Sequence, residues 1–338
     1  MEREQATVSI DFVNARVRGM RSKLYESERL VELADTRSLP ELFRRLRPSD
    51  AFAGHLEFEQ RLAGDTVREL NTISRYLSGN YNRLFCWLLA HFQLENLKVV
   101  LHAYMAHEPP TAAEKLMTPA PAWLGVDVAS LFQAPNLRRF AAALPMKELR
   151  NDLAKLLDKN EAPEPAVVEM TLDSAYLKTL GLLAAATQGW TRELAGREVD
   201  ARNVLLMLRA RFNFNRDFAV IRSFIEPSGV RLTRYRVERI AGARGLPEAL
   251  AVAAEICLPF GERGSFATIQ QFEDALVRTQ YRLASRCLAE AVLEEAVVFG
   301  YYYIKCAELA NLVRLTESIR YGLTRDEIKE RLLLLSRK

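Results

Sequence analysis

Glycine and proline are scarce in this chain, with 15 and 13 among its 338 residues. A sheet protein that turns about every ten residues needs more of both, so their scarcity argues against a β-rich fold. Strand pairs joined by Asn-Gly or Asp-Gly turns are also missing. Helix starts are marked instead, because Ser38 with Glu41 and Thr324 with Glu327 have the spacing of a capping box. We therefore predict an all-α protein.

Cysteines and long apolar runs are few as well. Cys86, Cys257, Cys287 and Cys306 are far apart and include no CxxC pair, which argues against a zinc site and predicts buried thiols in a reducing cytoplasm. The most apolar window, 292–304, is interrupted by two glutamates and falls short of the roughly 20 apolar residues of a membrane span. No secretory signal is visible in the first residues. These features predict a cytosolic protein.

Motifs that bring chemistry are absent from the sequence. There is no Walker-type phosphate loop, no HExxH, no aspartate-rich DDxxD stretch and no GxSxG turn. The histidines include no pair four residues apart that could hold a metal on one helix face: His55, His91, His102 and His107. We therefore expect no catalytic residue and no metal ligand.

The tyrosine run 301–303 has two interpretations. It could form a stacking platform for a ligand, or it could be packing material within a helix. Because apolar residues flank the run on both sides, we predict that it belongs to the core.

The charge is nearly balanced, with 47 basic and 43 acidic residues and a net charge of +4. So small an excess gives no electrostatic footprint for nucleic acid, and no nucleic-acid-binding motif accompanies it. The strongest local bias is the stretch 202–244, with ten arginines and three acidic residues. This stretch is either a solvated helical face or a surface for an acidic protein or anionic lipid headgroups. The candidates for partner-facing residues, expected to share part of a helix surface, are Arg231, Arg234, Arg236 and Arg239.

Three asparagines recur at nearly constant spacing: Asn96, Asn203 and Asn311 are 107 and 108 residues apart. Each follows a polar residue by three positions and precedes an aliphatic residue by one and by four positions. A small residue stands seven positions after each. Offsets of three, four and seven lie on one side of a helix, where a small residue allows another helix to approach closely. An amide in this setting could be a ligand-binding group, but the repetition favours a structural role in helix packing.

A second repeat accompanies the first. Residues 27–46 resemble residues 235–254, since both segments contain a Leu-Pro-Glu sequence, and residues 135–144 are a weaker third copy. Proline and glycine breaks fall near residues 109–121 and 227–229. We therefore predict three helical repeat domains, residues 1–112, 113–229 and 230–338, instead of a solenoid of short repeats.

Three long segments carry a resemblance to a known family. VNARVRGMRSKLYESERLVELADTRSLPELFRRL, FQLENLKVVLHAY and ELANLVRLTESIRYGLTRDEIKERLL resemble, in order and spacing, the C subunit of archaeal and bacterial V/A-type ATPases, whose eukaryotic relative is the d subunit. The chain departs from the family pattern at Glu317, where the third copy usually has a basic residue. It also has His102 in the first copy where Arg209 stands in the second.

The resemblance implies both a fold and a function. The fold is all-α, with three similar helical domains in a pseudo-threefold, funnel-like arrangement. The function is that of a non-catalytic rotor subunit in the central stalk, which couples the shaft to the membrane ring for proton or sodium transport. Its partners are shaft subunits of the D and F type and the ring, so membrane contact on the cytoplasmic face is indirect. No cofactor is implied. A helical scaffold for unrelated proteins and an all-α enzyme with an unrecognised pocket remain the alternatives.

Overall fold

A computed structural model of the protein describes residues 10–259, 262–291 and 294–333. Over these residues the regular structure consists of 17 α-helices with one 3-10 turn and one π turn, and no strand is present. The predicted all-α class is therefore confirmed. The first nine residues, which carry most of the argument about a secretory signal, lie outside the described residues.

Six of the helices are long, each with at least 20 residues, and they follow one another as three consecutive pairs. The short helices stand before or between these pairs, except the last one, which follows the third pair. In chain order the helices are α1 (Ile10–Arg21), α2 (Ser27–Leu33), α3 (Leu39–Leu46), α4 (His55–Ser74), α5 (Gly79–Met105), α6 (Pro110–Glu114), α7 (Val128–Phe132), α8 (Leu137–Ala143), α9 (Lys147–Lys159), α10 (Pro165–Ala185), α11 (Gly189–Leu208), α12 (Phe218–Arg222), α13 (Arg234–Ala241), α14 (Leu246–Cys257), α15 (Ile269–Glu290), α16 (Ala296–Arg320) and α17 (Arg325–Arg331).

The two predicted capping boxes differ in the structure. At α17, the Thr324 hydroxyl accepts from the Glu327 N–H, and the Glu327 carboxylate accepts from the Thr324 N–H, so the box is complete. At α3, Ser38 accepts from the Glu41 N–H as predicted. The prediction that the Glu41 carboxylate also accepts from the Ser38 N–H is wrong, because this carboxylate reaches one residue further back and accepts from the Arg37 N–H at 3.1 Å.

The long helices pack in a closed cycle. Within each pair, α4 packs on α5, α10 on α11 and α15 on α16. Between pairs, α5 packs on α10, α11 on α15 and α16 on α4, so the last pair returns to the first. We call this arrangement the helix cycle. The second helices of two pairs, α11 and α16, also contact each other.

The main apolar core contains residues from near both ends of the described chain, from Val13 to Leu333, but no buried residue between Val199 and Tyr281. Phe85 on α5 meets Phe299 and Tyr302 on α16 edge to face, at ring-centre distances of 5.5 and 5.8 Å. The whole run 301–303 is buried, which confirms that it is core material. Two smaller cores lie beneath the short helices α2–α3 and α13–α14, the elements that the similar segments 27–46 and 235–254 form.

Among the described helices, α5 is long and apolar enough to cross a membrane by length and composition. However, 61% of its apolar window is buried inside the protein, as in a core helix of a soluble fold.

Candidate functional site

The asparagines Asn96 and Asn311 make the same pair of contacts. The Asn96 side-chain amide donates to the Thr118 carbonyl at 2.9 Å, and its oxygen accepts from the Thr118 N–H at 2.8 Å. The Asn311 side chain holds Leu333 in the same way, at 3.1 and 2.7 Å. In each case the partner lies 22 residues further along the chain. Both side chains are buried, so these bonds satisfy polar groups that water cannot reach.

Asn203 is the least complete of the three. Its amide nitrogen donates to the Val199 carbonyl at 3.0 Å and to the Glu226 carbonyl, 23 residues later, at 3.2 Å. Its oxygen is buried and has no hydrogen-bond partner among the described residues. All of these asparagine hydrogen bonds are with the backbone, which is the behaviour of a structural group.

The polar residue three positions before each asparagine makes hydrogen bonds with backbone groups of a segment that is distant in the sequence. Gln93 donates to the Gly125 carbonyl at 3.0 Å. Asp200 accepts from the N–H groups of residues 230, 231 and 232 at 3.0, 2.6 and 3.1 Å. Burial raises the pKa of Asp200 although these three donors act to lower it.

In the third copy the corresponding contact runs back to the start of the chain. The Glu308 carboxylate accepts from the Tyr25 N–H at 2.7 Å, and it also pairs with Lys305 at 2.8 Å. Tyr25 lies 283 residues earlier in the chain and stands just before α2. The three contacts therefore reach from α5 to the segment before α7, from α11 to the segment before α13 and from α16 to the segment before α2.

The residue six positions after each asparagine faces the next pair of long helices. On α5, His102 contacts Glu169 of α10. On the π turn that continues α11, Arg209–Asn213, the side chain of Arg209 pairs with Glu273 of α15 at 2.6 Å. On α16, the corresponding residue is Glu317, which faces α4. We call these contacts the first, second and third joints of the helix cycle.

The third joint has a carboxyl group where the other two have a basic side chain. Glu317 lies 3.9 Å from the His55 ring nitrogen and accepts a hydrogen bond from Arg320 at 3.0 Å. Its neighbour on α4 is Glu59, one of whose carboxyl oxygens is buried without a hydrogen-bond partner in the described part of the chain. Burial, followed by the charge and hydrogen bonding of Glu317, raises the pKa of Glu59 to about 7, against the opposing effect of Arg320.

A cavity of about 770 Å³ lies among five of the six long helices, namely α5, α10, α11, α15 and α16. Its wall is partly apolar and includes Leu205, Leu206, Leu276 and Ala310. Buried polar and charged groups complete the lining, so a molecule bound in the cavity would contact both apolar and charged surface.

The buried polar groups centre on Arg202. Its guanidinium donates to Glu198 at 2.7 Å, lies 3.2 Å from the His91 ring and stands 6.0 Å from the centre of the Tyr176 ring. Burial, and then the charge of Arg202, lowers the pKa of His91 well below its usual value, which keeps the imidazole neutral. The second Glu198 oxygen and the hydroxyls of Tyr176 and Tyr303 are buried without hydrogen-bond partners among the described residues.

A second charged group lies on the same wall. Lys98 pairs with Asp173 at 2.5 Å and with Glu95 at 3.1 Å. Burial acts to lower the pKa of Lys98, but the two carboxylates outweigh it and raise the pKa. These are ion pairs and not an activated nucleophile, and in the described part of the chain no three His, Cys, Asp or Glu residues are placed to hold a metal ion.

The predicted partner-facing arginines do not all lie on one helix. Arg231 precedes α13, and its carbonyl accepts from Arg236 at 2.6 Å. Arg239 pairs with Glu255 at 3.0 Å. Arg234 is exposed at the first position of α13. Their role toward a partner stays a prediction.

Much of the local arginine excess serves contacts within the chain. Arg211 donates to the carbonyls of residues 240, 241 and 243, and Arg222 pairs with Glu238 at 3.2 Å. These arginines could not be distinguished from exposed ones in the sequence, because their partners are acidic or carbonyl groups from other elements.

The fold defines an all-α protein in which three pairs of long helices form a closed cycle, and five of these six helices line a cavity. Residues 13–331 match the family described as ATP synthase (C/AC39) subunit, and the chain belongs to this family. It is also similar to the C subunit of the A-type ATP synthase of Methanosphaera stadtmanae, with 25% identity over 338 aligned positions, 95% of this chain and 87% of that protein. The family expected from the three resembling segments is thereby confirmed.

Proposed function

We propose that this chain is the non-catalytic rotor subunit in the central stalk of a V/A-type rotary ATPase. It couples the central shaft to the membrane ring during proton or sodium transport. The observation that carries this proposal is the cavity among five long helices of a closed cycle. A protein that passes on torque needs a socket for one partner within a wall that resists deformation, and close-packed helices provide such a wall.

The cavity is the proposed seat for the foot of the shaft, formed by subunits of the D and F type. Its mixture of apolar wall and buried charge suits a protein segment, because the core of a protein interface is apolar and its polar groups set orientation. The unpartnered oxygen of Glu198 and the hydroxyls of Tyr176 and Tyr303 provide hydrogen-bonding groups at the base of this seat. A basic or amide side chain at the tip of the shaft would satisfy them.

The same proposal includes the arrangement predicted from the sequence. Three domains, residues 1–112, 113–229 and 230–338, form a pseudo-threefold funnel. Support comes from the three pairs of long helices and from the contacts of Gln93, Asp200 and Glu308, each of which reaches the start of another unit. The funnel lies on the cytoplasmic face of the membrane and touches lipid only through the ring.

Filling the cavity tests its role. We expect Ala201→Trp and Ala310→Trp, which place an indole at the cavity wall, to reduce co-purification of D- and F-type subunits at least about tenfold, the effect of roughly 1.4 kcal/mol. Association with the membrane ring should persist. The matched control is Ala142→Trp on the exposed side of α8, which should leave both associations unchanged.

Two results would count against the proposal. If both cavity variants bound the shaft subunits as well as the wild-type protein does, the shaft would bind outside the cavity. Recovery of the endogenous protein from native membranes without any ATPase subunit would favour a scaffold for unrelated partners.

A further inference from the structure

The three joints of the helix cycle join equivalent helices with different chemistry. In the first and second joints, His102 and Arg209 each face a glutamate of the next pair of helices. In the third joint, Glu317 stands at the same position, six residues after Asn311, and it faces Glu59 of α4. Two carboxyl groups therefore meet at the contact that closes the cycle.

The charged and titratable groups that act on this pair lie on α16, on α4 and just after α16. α16 contributes Glu317 and Arg320, and Arg320 donates to one Glu317 oxygen while His55 lies nearer the other. α4 itself contributes His55 and Glu59. Tyr321, just after α16, accepts from Arg320.

Two other segments next to α4 direct their polar groups away from Glu59. The basic residue that follows α3, Arg47, pairs with Asp65 further along α4. The segment after α6 meets α4 through the carbonyls of Lys115 and Met117, which accept from Gln60. Neither supplies a cation to Glu59.

We propose that the third joint is a proton-dependent latch. When Glu59 and Glu317 share a proton, one carboxyl donates to the other and α4 stays against α16. When both are ionised, two negative charges face each other in a half-buried contact, and the adjoining ends of α4 and α16 separate. The first and second joints have a basic partner and lack this repulsion.

The pKa of Glu59 supports the latch and gives its direction. It rises from 4.5 to about 7 in the folded chain, so the folded state holds this proton more tightly than the unfolded state does. The stability gained is complete below pH 4.5 and is lost as the pH rises toward 7. The latch therefore closes in mildly acidic conditions and loosens above neutrality.

Hydrogen exchange of the full-length protein at pH 6 and pH 8 tests the latch. Peptides covering residues 55–60 and 315–321 report the third joint, and peptides covering residues 205–210 and 270–275 report the second joint in the same sample. The intrinsic exchange rate rises equally for both joints between pH 6 and pH 8. The ratio of the protection at the third joint to that at the second joint therefore reports on the latch alone. We expect the third joint to lose protection about tenfold relative to the second at pH 8, because that pH lies about one unit above the pKa of Glu59.

Matched variants separate the latch from other titrations. Glu59→Gln removes the titrating group at nearly constant shape, and Glu317→Arg introduces the basic side chain of the second joint. Both should abolish the relative loss at pH 8. Glu273→Gln should weaken the second joint at both pH values and leave the pH response of the third joint intact.

His55→Gln tests the imidazole that also lies near Glu317. Persistence of the pH response in this variant supports the carboxyl pair, and its disappearance there would overturn the latch. A pH response that survives in Glu59→Gln would also overturn it, even if Glu317→Arg failed to fold.

Discussion

A buried amide stabilises a fold only where both of its ends find partners, and the three repeated asparagines differ in this respect. Asn311 both donates to and accepts from the backbone of Leu333. Asn203 donates twice, but its oxygen is left without a partner among the described residues. The three asparagines share one sequence pattern but contribute unequally to the stability of the fold.

We expect Asn311→Leu to lower the free energy of unfolding by about 2–4 kcal/mol, because it leaves two buried backbone groups of Leu333 unsatisfied. Asn203→Leu should cost less, about 1–2 kcal/mol, because it also removes an unsatisfied oxygen. Urea unfolding followed by circular dichroism measures both. Equal losses for the two variants would contradict the assigned difference.

The asparagines could be identified from the sequence, but the groups that they hold could not. The partners of Asn96 and Asn311 are backbone groups 22 residues away, and a backbone group has no sequence signature. The polar residue three positions earlier was visible in the same frame, yet its reach into a distant segment depends on tertiary packing. For the same reason Arg209 and Arg211 counted as surface charge in the sequence, although both have partners in the fold.

Among the elements, the segment before α13 shows how closely backbone and helix can approach. A Cβ atom on Gly229 would lie 2.0 Å from an Asp200 carboxylate oxygen and 2.5 Å from the Gly196 carbonyl oxygen. Only glycine lets this segment pass over α11 while Asp200 accepts from the next three N–H groups. The contact fixes the position of the segment before α13 on α11.

We expect Gly229→Ala to destabilise the protein by about 2–3 kcal/mol, because it displaces a buried carboxylate from its hydrogen-bond donors. Hydrogen exchange should rise at residues 230–232 in particular. The matched control is Gly264→Ala, where a Cβ would meet nothing within 4 Å, and we expect little change there. Comparable destabilisation by both changes would argue against this role for Asp200.

Helix types were more predictable than helix ends. The spacing of Thr324 and Glu327 predicted a complete capping box, which the structure has, whereas the identical spacing of Ser38 and Glu41 gave only half of one. A long carboxylate side chain can reach either of two adjacent N–H groups at a helix start, and local sequence does not choose between them.

On the scale of the whole molecule, the main core contains residues from Val13 to Leu333 and shares long helices with the two smaller cores, which predicts cooperative unfolding. Trp87, Trp123 and Trp190 report only on the first two thirds of the chain, whereas circular dichroism reports on all of its helices. We expect the two signals to give coincident unfolding curves in urea. A fluorescence transition clearly separate from the helical one would indicate domains that unfold independently.

The all-α class and the recurrence of the three asparagines could be read from the sequence, but the closure of the cycle could not. The closing contacts join residues far apart in the chain, as Tyr25 and Glu308 show, and no local pattern encodes which helix returns to which. The cavity escaped prediction for a similar reason, since its charged residues come from separate helices and each alone resembles an ordinary helix charge.

The closed cycle also has a consequence for mechanics. A thin-walled tube with a continuous wall resists twisting far better than the same tube slit along its length, because shear stress can circulate around the whole wall. The packing of α16 on α4 closes the helix cycle as a seam closes such a tube. The proposed latch at this contact makes the resistance of the cycle to twisting depend on the proton that Glu59 and Glu317 share.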